Sequence, residues 1–163
     1  MSDEELELVP VLVNDEVVYV NRFGELWRWK RQFRWSSPKF QKIVTKPTSY
    51  GYIHLKIGGK MVMLHRIIAS VYLGLDITDL KTQVDHISGM KHDNRLVNLR
   101  LVTHQQNGFN QTKAKGYWWN KRSNKWQAKI GIDGRNIHLG LFIIEEDARD
   151  AYMNAKLVHH KIP

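Results

Sequence analysis

Residues 84–107 read VDHISGMKHDNRLVNLRLVTHQQN, and this stretch decides how the rest of the chain is understood. TQVDH, ending at His86, is a short β-prone run, and ISGMKHDNR is a polar loop. VNLRLV is a second strand, and Thr103 then opens a helix with Gln106 three residues on, the spacing of a capping box. The order is strand, loop, strand, helix. Along it lie Asp85-His86, Asn98 and Asn107. Metal-assisted phosphodiester hydrolysis needs few parts: one or two oxygen ligands, an imidazole to take a proton from water, and a group that orients the imidazole. Imidazole suits the base role because its ordinary pKa of about 6.5 lies near neutrality. Each residue type is present, yet Asp-His pairs and loop Asn residues are common, and spacing alone leaves a structural or capping reading open.

Composition narrows the classes. The chain has 163 residues, enough for one ordinary domain or two small ones. It has no cysteine, which excludes disulfides, Cys-ligated zinc and cysteine nucleophiles. No run approaches the roughly 20 apolar residues that span a bilayer, and the acidic start MSDEELELVP is unlike a secretory signal. The expectation is a soluble, cytoplasmic chain with no membrane partner. The formal charge is +9 and unevenly placed. Asp3, Glu4, Glu5, Glu7, Asp15 and Glu16 make residues 1–16 wholly acidic, whereas Glu25 is the one acid between 17 and 75 and Asp133 the one acid between 113 and 144. Basic blocks interleaved with Trp, Tyr and Phe suit a polyanion carrying flat bases, although a solvated basic surface produces the same sum.

Outward from the central stretch, residues 17–60 read as short strands. A turn is expected at Asn21–Gly24 inside VVYVNRFGELWRW, and another at Gly58-Gly59 after the alternating GYIHLKI. WSSPKFQKIVTKPTSY reads as a basic loop. Leu64, Ile67, Ile68, Val71 and Tyr72 fall at helical spacing, with Gly74 as a stop. Beyond the polar NQTKAK come three strand-like runs, at about 116–121, 125–132 and 135–142, with a hairpin at Asp133-Gly134. Trp126, Ala128, Ile130 and Ile132 are expected inward, repeated by Ile137, Leu139 and Leu141. A helix follows from about Glu145 to His160, acidic first and basic last, with Ala148, Ala151, Tyr152, Ala155 and Val158 as its apolar stripe. The fold class is α+β. The expected organisation is an acidic segment 1–16, disordered over residues 1–8, a domain 17–110, a linker 111–115 and a second domain 116–163.

VDHISGMKHDNRLVNLRLVTHQQN closely resembles the HNH, or ββα-metal, nuclease motif, and more narrowly the phage homing-endonuclease branch. GYIHLKIGGK and LHRIIASVYLGL resemble what precedes the motif there, so the resemblance spans roughly residues 17–110. It implies that His86 is the general base, that Asp85 and Asn107 are the side-chain ligands of a divalent metal, and that Asn98 holds His86 through a hydrogen bond. It also implies a phage-encoded protein acting in a bacterial host. Asn107 stands where the family's name has His. Oxygen ligands favour Mg²⁺ or Mn²⁺ over Zn²⁺, while His92 and His104 nearby keep zinc open. Asn94 reads as a turn former, His104 as a solvated histidine and His65 as packing or support. Arg100 is a candidate phosphate clamp.

KWQAKI, HLGLF and EEDARDAYMNAK resemble the plant ethylene-response-factor, or Apetala-two, DNA-binding domain, a three-stranded sheet on one helix that is laid in the major groove. The resemblance implies contacts to double-stranded DNA by Trp119, Lys121, Lys129 and His138, with Arg122 and Arg135 near the turns. Trp118 and Trp126 read as core. The arginines that plant domains place on this face are absent, so no target sequence carries over. The first reading is a site-specific endonuclease, monomeric or homodimeric. A non-catalytic DNA-binding regulator with a degenerate nuclease fold, and an RNA-binding or structural protein, are the alternatives.

Overall fold

The structure is a computed structural model that describes residues 7–31, 37–110 and 115–162. The expected disordered start and the expected linker fall largely outside the described residues, the first at 1–6 and the second at 111–114. By internal contacts the chain divides into two compact units that part after Thr103.

The first unit opens with a four-stranded antiparallel meander in sequence order, β1 (Val9–Val13), β2 (Glu16–Val20), β3 (Leu26–Lys30) and β4 (Lys39–Lys42). Two of these strands depart from the sequence expectation. β1 lies inside the acidic segment, joined to β2 by a two-residue turn in which Asn14 and Asp15 adopt φ of +48° and +64°. That is the hairpin geometry whose twist matches the flanking strands, and Asn and Asp tolerate it. β4 lies inside the stretch read as loop, and all four of its residues are exposed, which is why it carries no burial pattern. The segment's acids are also employed. Glu7 pairs with Arg22 at 2.7 Å and Glu16 with Arg28 at 2.9 Å.

A hairpin of β5 (His54–Ile57) and β6 (Lys60–Met63), turning at Gly58-Gly59 as expected, leads into α1 (Leu64–Tyr72). Leu64, Ile67, Ile68 and Ala69 are at most 1% exposed and meet Val18, Val20, Leu26 and Ile57 in one core. Each such large side chain contributes about 1.5–3 kcal/mol by leaving water. Onto this core are set β7 (Gln83–His86) and β8 (Leu99–Val102), an antiparallel pair that places Asp85 opposite Arg100 and His86 opposite Leu99. A turn of 3₁₀ helix, Leu96–Asn98, precedes β8.

The second unit begins with α2 (His104–Phe109), so the ββα order β7, β8, α2 runs across the boundary between the units. It continues with β9 (Tyr117–Asn120), β10 (Lys125–Ile132) and β11 (Arg135–Phe142), a three-stranded antiparallel sheet with β10 central, packed on α3 (Glu145–His159). Asp133 and Gly134, both at positive φ, close the expected hairpin. Ala128, Ile130, Ala148 and Tyr152 form its core, and Tyr152 sits so close to the sheet that a Cβ on Gly116 would lie 2.0 Å from its ring. Val158, expected in the apolar stripe, is exposed.

Register corrects three face assignments. Between Ala128↔Gly140 and Lys129↔His138, β11 carries one extra residue, a bulge at Leu139. Because side chains alternate with period two, the extra residue reverses the facing of the residues beyond it. Phe142 joins Trp126 on the helix side, and Leu141, expected inward, lies opposite Gln127 and is 44% exposed. Likewise Trp119 lies opposite Trp126 and Trp118 opposite Gln127. Trp118, read as core, is therefore on the outer face, and Trp119, read as outward, is on the helix side. Among the described residues no helix is long and apolar enough to cross a membrane.

Candidate active site

Asp85, His86, Asn94 and Asn98 are each at most 6% exposed, an unusual concentration of buried polar side chains within 14 positions of sequence. Such groups are tolerated only when bonded. The β7–β8 hairpin supplies the bonds. Asn98 fastens the base of the loop: its backbone carbonyl accepts Ile87 N–H at 2.8 Å, its Oδ1 accepts Ser88 N–H at 2.9 Å, and its Nδ2 donates to the Asp93 carbonyl at 2.8 Å. Asp93 in turn accepts both Nε and Nη2 of Arg95, which holds its carboxyl below the usual range.

Asn94, next along this fastened loop, is the residue whose side chain meets His86. Its Nδ2 donates to the His92 carbonyl at 3.2 Å, which turns its Oδ1 toward His86 Nε2, also at 3.2 Å. An amide oxygen can only accept, so Nε2 carries the proton and Nδ1 carries the lone pair. Burial pushes the His86 pKa down, against the opposing pull of Asn94, Asp85 and Asp93. A neutral imidazole with its lone pair on Nδ1 is what a general base requires near pH 7. The sequence reading gave the orienting role to Asn98. In the structure Asn98 bonds the loop backbone, and Asn94, read as a turn former, contacts the ring. The sequence places Asn94 in the polar loop and Asn98 in the strand-like run VNLRLV, and neither position says which amide meets the ring.

The other face of His86 is aromatic. His65, the second residue of α1, meets it edge-on with ring centroids 5.1 Å apart, and Tyr52 lies 5.4 Å from His65 and 6.1 Å from His86. Burial first, then the charges of His86, Arg66 and His54, push the His65 pKa down to about 3, so this ring is neutral. Lys91 holds its ammonium 4.7 Å above the Tyr52 ring.

Asp85 faces its cross-strand neighbour. Arg100 Nε and Nη2 both donate to Asp85 Oδ2, at 2.9 and 2.8 Å, in a pair that is largely buried. Both bonds converge on one carboxyl oxygen, the charge-assisted geometry that a guanidinium fork favours. Arg100, read as a phosphate clamp, is thus bound to the predicted metal ligand. Asn107 is the fourth residue of α2 and half-buried within the second unit.

In the second unit, the outer sheet face carries Trp118, Gln127, Lys129 and His138. Lys129 Nζ stands 5.1 Å over the Trp118 ring, and Gln127 Nε2 lies 3.4 Å from His138 Nδ1. Lys121 and Arg122 lie exposed where β9 turns into β10, and Arg135 is exposed at the start of β11.

Residues 62–109 match a family model described as HNH endonuclease. That span runs from β6 through α2 and contains Asp85, His86, Asn94, Asn98, Arg100 and Asn107. The solved structure reported for DNA binding and cleavage by the HNH homing endonuclease I-HmuI is similar over 74% of this chain and 70% of that one, at 24% identity and a TM-score of 0.44. No curated protein matches the sequence.

Proposed function

We propose that the segment matching the HNH family makes this chain a metal-dependent, site-specific DNA endonuclease of the homing type. One observation carries the reading. The site's imidazole is buried, neutral and fixed with its lone pair on Nδ1, next in the chain to a buried carboxyl group paired with Arg100. In the step this supports, His86 Nδ1 takes a proton from water as the water oxygen bonds to phosphorus. The P–O bond to the leaving oxygen breaks, and that oxygen departs with the bonding pair. Asn94 holds the ring through Nε2, and Asn98 holds the loop that bears Asn94. The donor types fit a hard divalent cation, because Asp85 offers a carboxyl oxygen and Asn107 an amide oxygen. Asp85 and Asn107 would hold Mg²⁺ or Mn²⁺, which supplies charge neutralisation at the phosphate and the leaving oxygen.

The second unit is proposed as the DNA-reading module, through the outer face of Trp118, Lys129 and His138 with Lys121, Arg122 and Arg135. Cations position a protein on phosphate, and a half-exposed indole packs on sugar or base. Sharing one DNA between two modules raises the effective concentration of the second contact. The deciding experiment is cleavage of plasmid carrying source-genome DNA by wild type and His86→Ala, with Mg²⁺, Mn²⁺, Zn²⁺ or EDTA. Cutting that needs metal and disappears in the variant is expected. Binding without cutting under every metal would turn the reading to a DNA-binding regulator.

A further inference from the structure

The turn joining β2 to β3, Asn21–Glu25, is some seventy residues from the β7–β8 loop in sequence and lies against it in the fold. Asn21 is 1% exposed. Its Oδ1 accepts the backbone N–H groups of Phe23 and Glu25, both at 3.1 Å, and its Nδ2 donates to Glu25 Oε2 at 2.9 Å. Gly24 N–H closes the turn on the Asn21 carbonyl at 3.1 Å. This self-bonded turn touches the catalytic loop twice, at Asn94 and just beyond it. The Arg22 carbonyl accepts Leu96 N–H at 2.8 Å. Gly24, at φ +77°, lies so close that a Cβ there would stand 2.6 Å from the Asn94 carbonyl carbon, 2.7 Å from its oxygen and 2.9 Å from Arg95 N. These are backbone atoms, and the Asn98–Asp93 bond fixes the residue before them, so no side-chain rotation relieves the clash.

We infer that the Asn21–Glu25 turn is a positioning element for the general base, an inference that rests on the nuclease reading of His86. Through Gly24 and the Arg22 carbonyl the turn sets the backbone of Asn94, and through Asn94 Oδ1 it sets the tautomer and orientation of His86. The N-terminal sheet is then part of the catalytic scaffold. Glycine is required at position 24 for close approach as much as for its positive φ.

The test compares Gly24→Ala with Gly59→Ala. Gly59 has the same kind of backbone, φ +79°, in the β5–β6 turn, but a Cβ there meets nothing within 4 Å. Both variants carry left-handed strain and lose thermal stability. Gly24→Ala is expected to lose tenfold or more in single-turnover rate at saturating DNA, with DNA Kd within twofold of wild type. Its His86 imidazole ¹⁵N resonances lose the pure Nε2–H pattern. Gly59→Ala keeps both the rate and the pattern. Equal rates and unchanged His86 resonances in the two variants overturn the inference. The tautomer is read without DNA or metal, so a wild-type chain that fails to cut sinks the nuclease reading and leaves the positioning question decided by the spectra. If Gly24→Ala does not fold, amide exchange in the wild type decides instead. Leu96 N–H should exchange together with Glu25 N–H, and a Leu96 amide exchanging a hundredfold faster overturns the inference.

Discussion

The β7–β8 loop and the outer face of the β9–β11 sheet are both polar, basic-flanked surfaces, and they are built in opposite ways. In the loop, Asp85, His86, Asn94 and Asn98 are nearly sealed from water and held by short bonds within the chain. On the sheet, Lys129 and His138 stand in solvent, touching their neighbours loosely. A group that must take a proton at one place gains from being fixed before substrate arrives. Groups that meet phosphate gain from staying hydrated and mobile until they release counterions. Burial therefore marks the proposed chemistry in this protein, and exposure marks the proposed recognition.

Substitutions sharpen that contrast. His86→Ala removes the proposed proton acceptor, and single-turnover cleavage should fall by about 10²–10⁴-fold with DNA affinity unchanged in a filter-binding or anisotropy assay. Loss of affinity in step with rate would merge the two regions again. Asn94→Ala leaves the proposed base in place but without its Nε2 partner, so a smaller loss, roughly 10-fold, is expected in the same assay, with His86 populating both tautomers by NMR.

The pH dependence of stability comes from His65. Its folded pKa is about 3, against an ordinary 6.5, so between these values the unfolded chain takes up a proton that the native chain does not. Stability is whole above about pH 6.5, falls by up to about 1.4 kcal/mol per pH unit below it, and levels near pH 3. His86, lowered by burial, adds in the same direction. His65→Phe, which cannot be protonated, should flatten urea midpoints measured from pH 7 to 4, and an unchanged slope would contradict the burial argument. The smallest effect belongs to the sheet. Lys129→Ala should weaken DNA binding severalfold and reduce the slope of log K against log salt by about one, with cleavage at saturating DNA unaffected.

Much of this was legible along the chain. The helical spacing of Leu64, Ile67 and Ile68, the Gly58-Gly59 and Asp133-Gly134 turns, and the strand–loop–strand–helix order around Asp85-His86 are local properties, and the fold has them. The β1–β2 hairpin escaped reading despite its local Asn14-Asp15 turn signal, and the other misses had no local signature. β4 is exposed on all four residues, so nothing in its alternation marks a strand. The bulge at Leu139 reverses the facing of Leu141 from a single extra residue, and whether a Trp in the run Trp118-Trp119 faces the helix depends on a register shift of one.

Local sequence was enough for the α+β class, the basic character and the residue types of the proposed hydrolytic site, because periodicity, turn chemistry and side-chain chemistry are carried by neighbours in the chain. It took the folded chain to bring Asn94 to His86 while Asn98 holds the loop, to bind Arg100 to Asp85, and to set Gly24 against the Asn94 carbonyl. Those pairings join residues by register and close packing across long stretches of chain, and no local preference specifies which of two chemically equivalent side chains the fold brings within 3.2 Å of the ring.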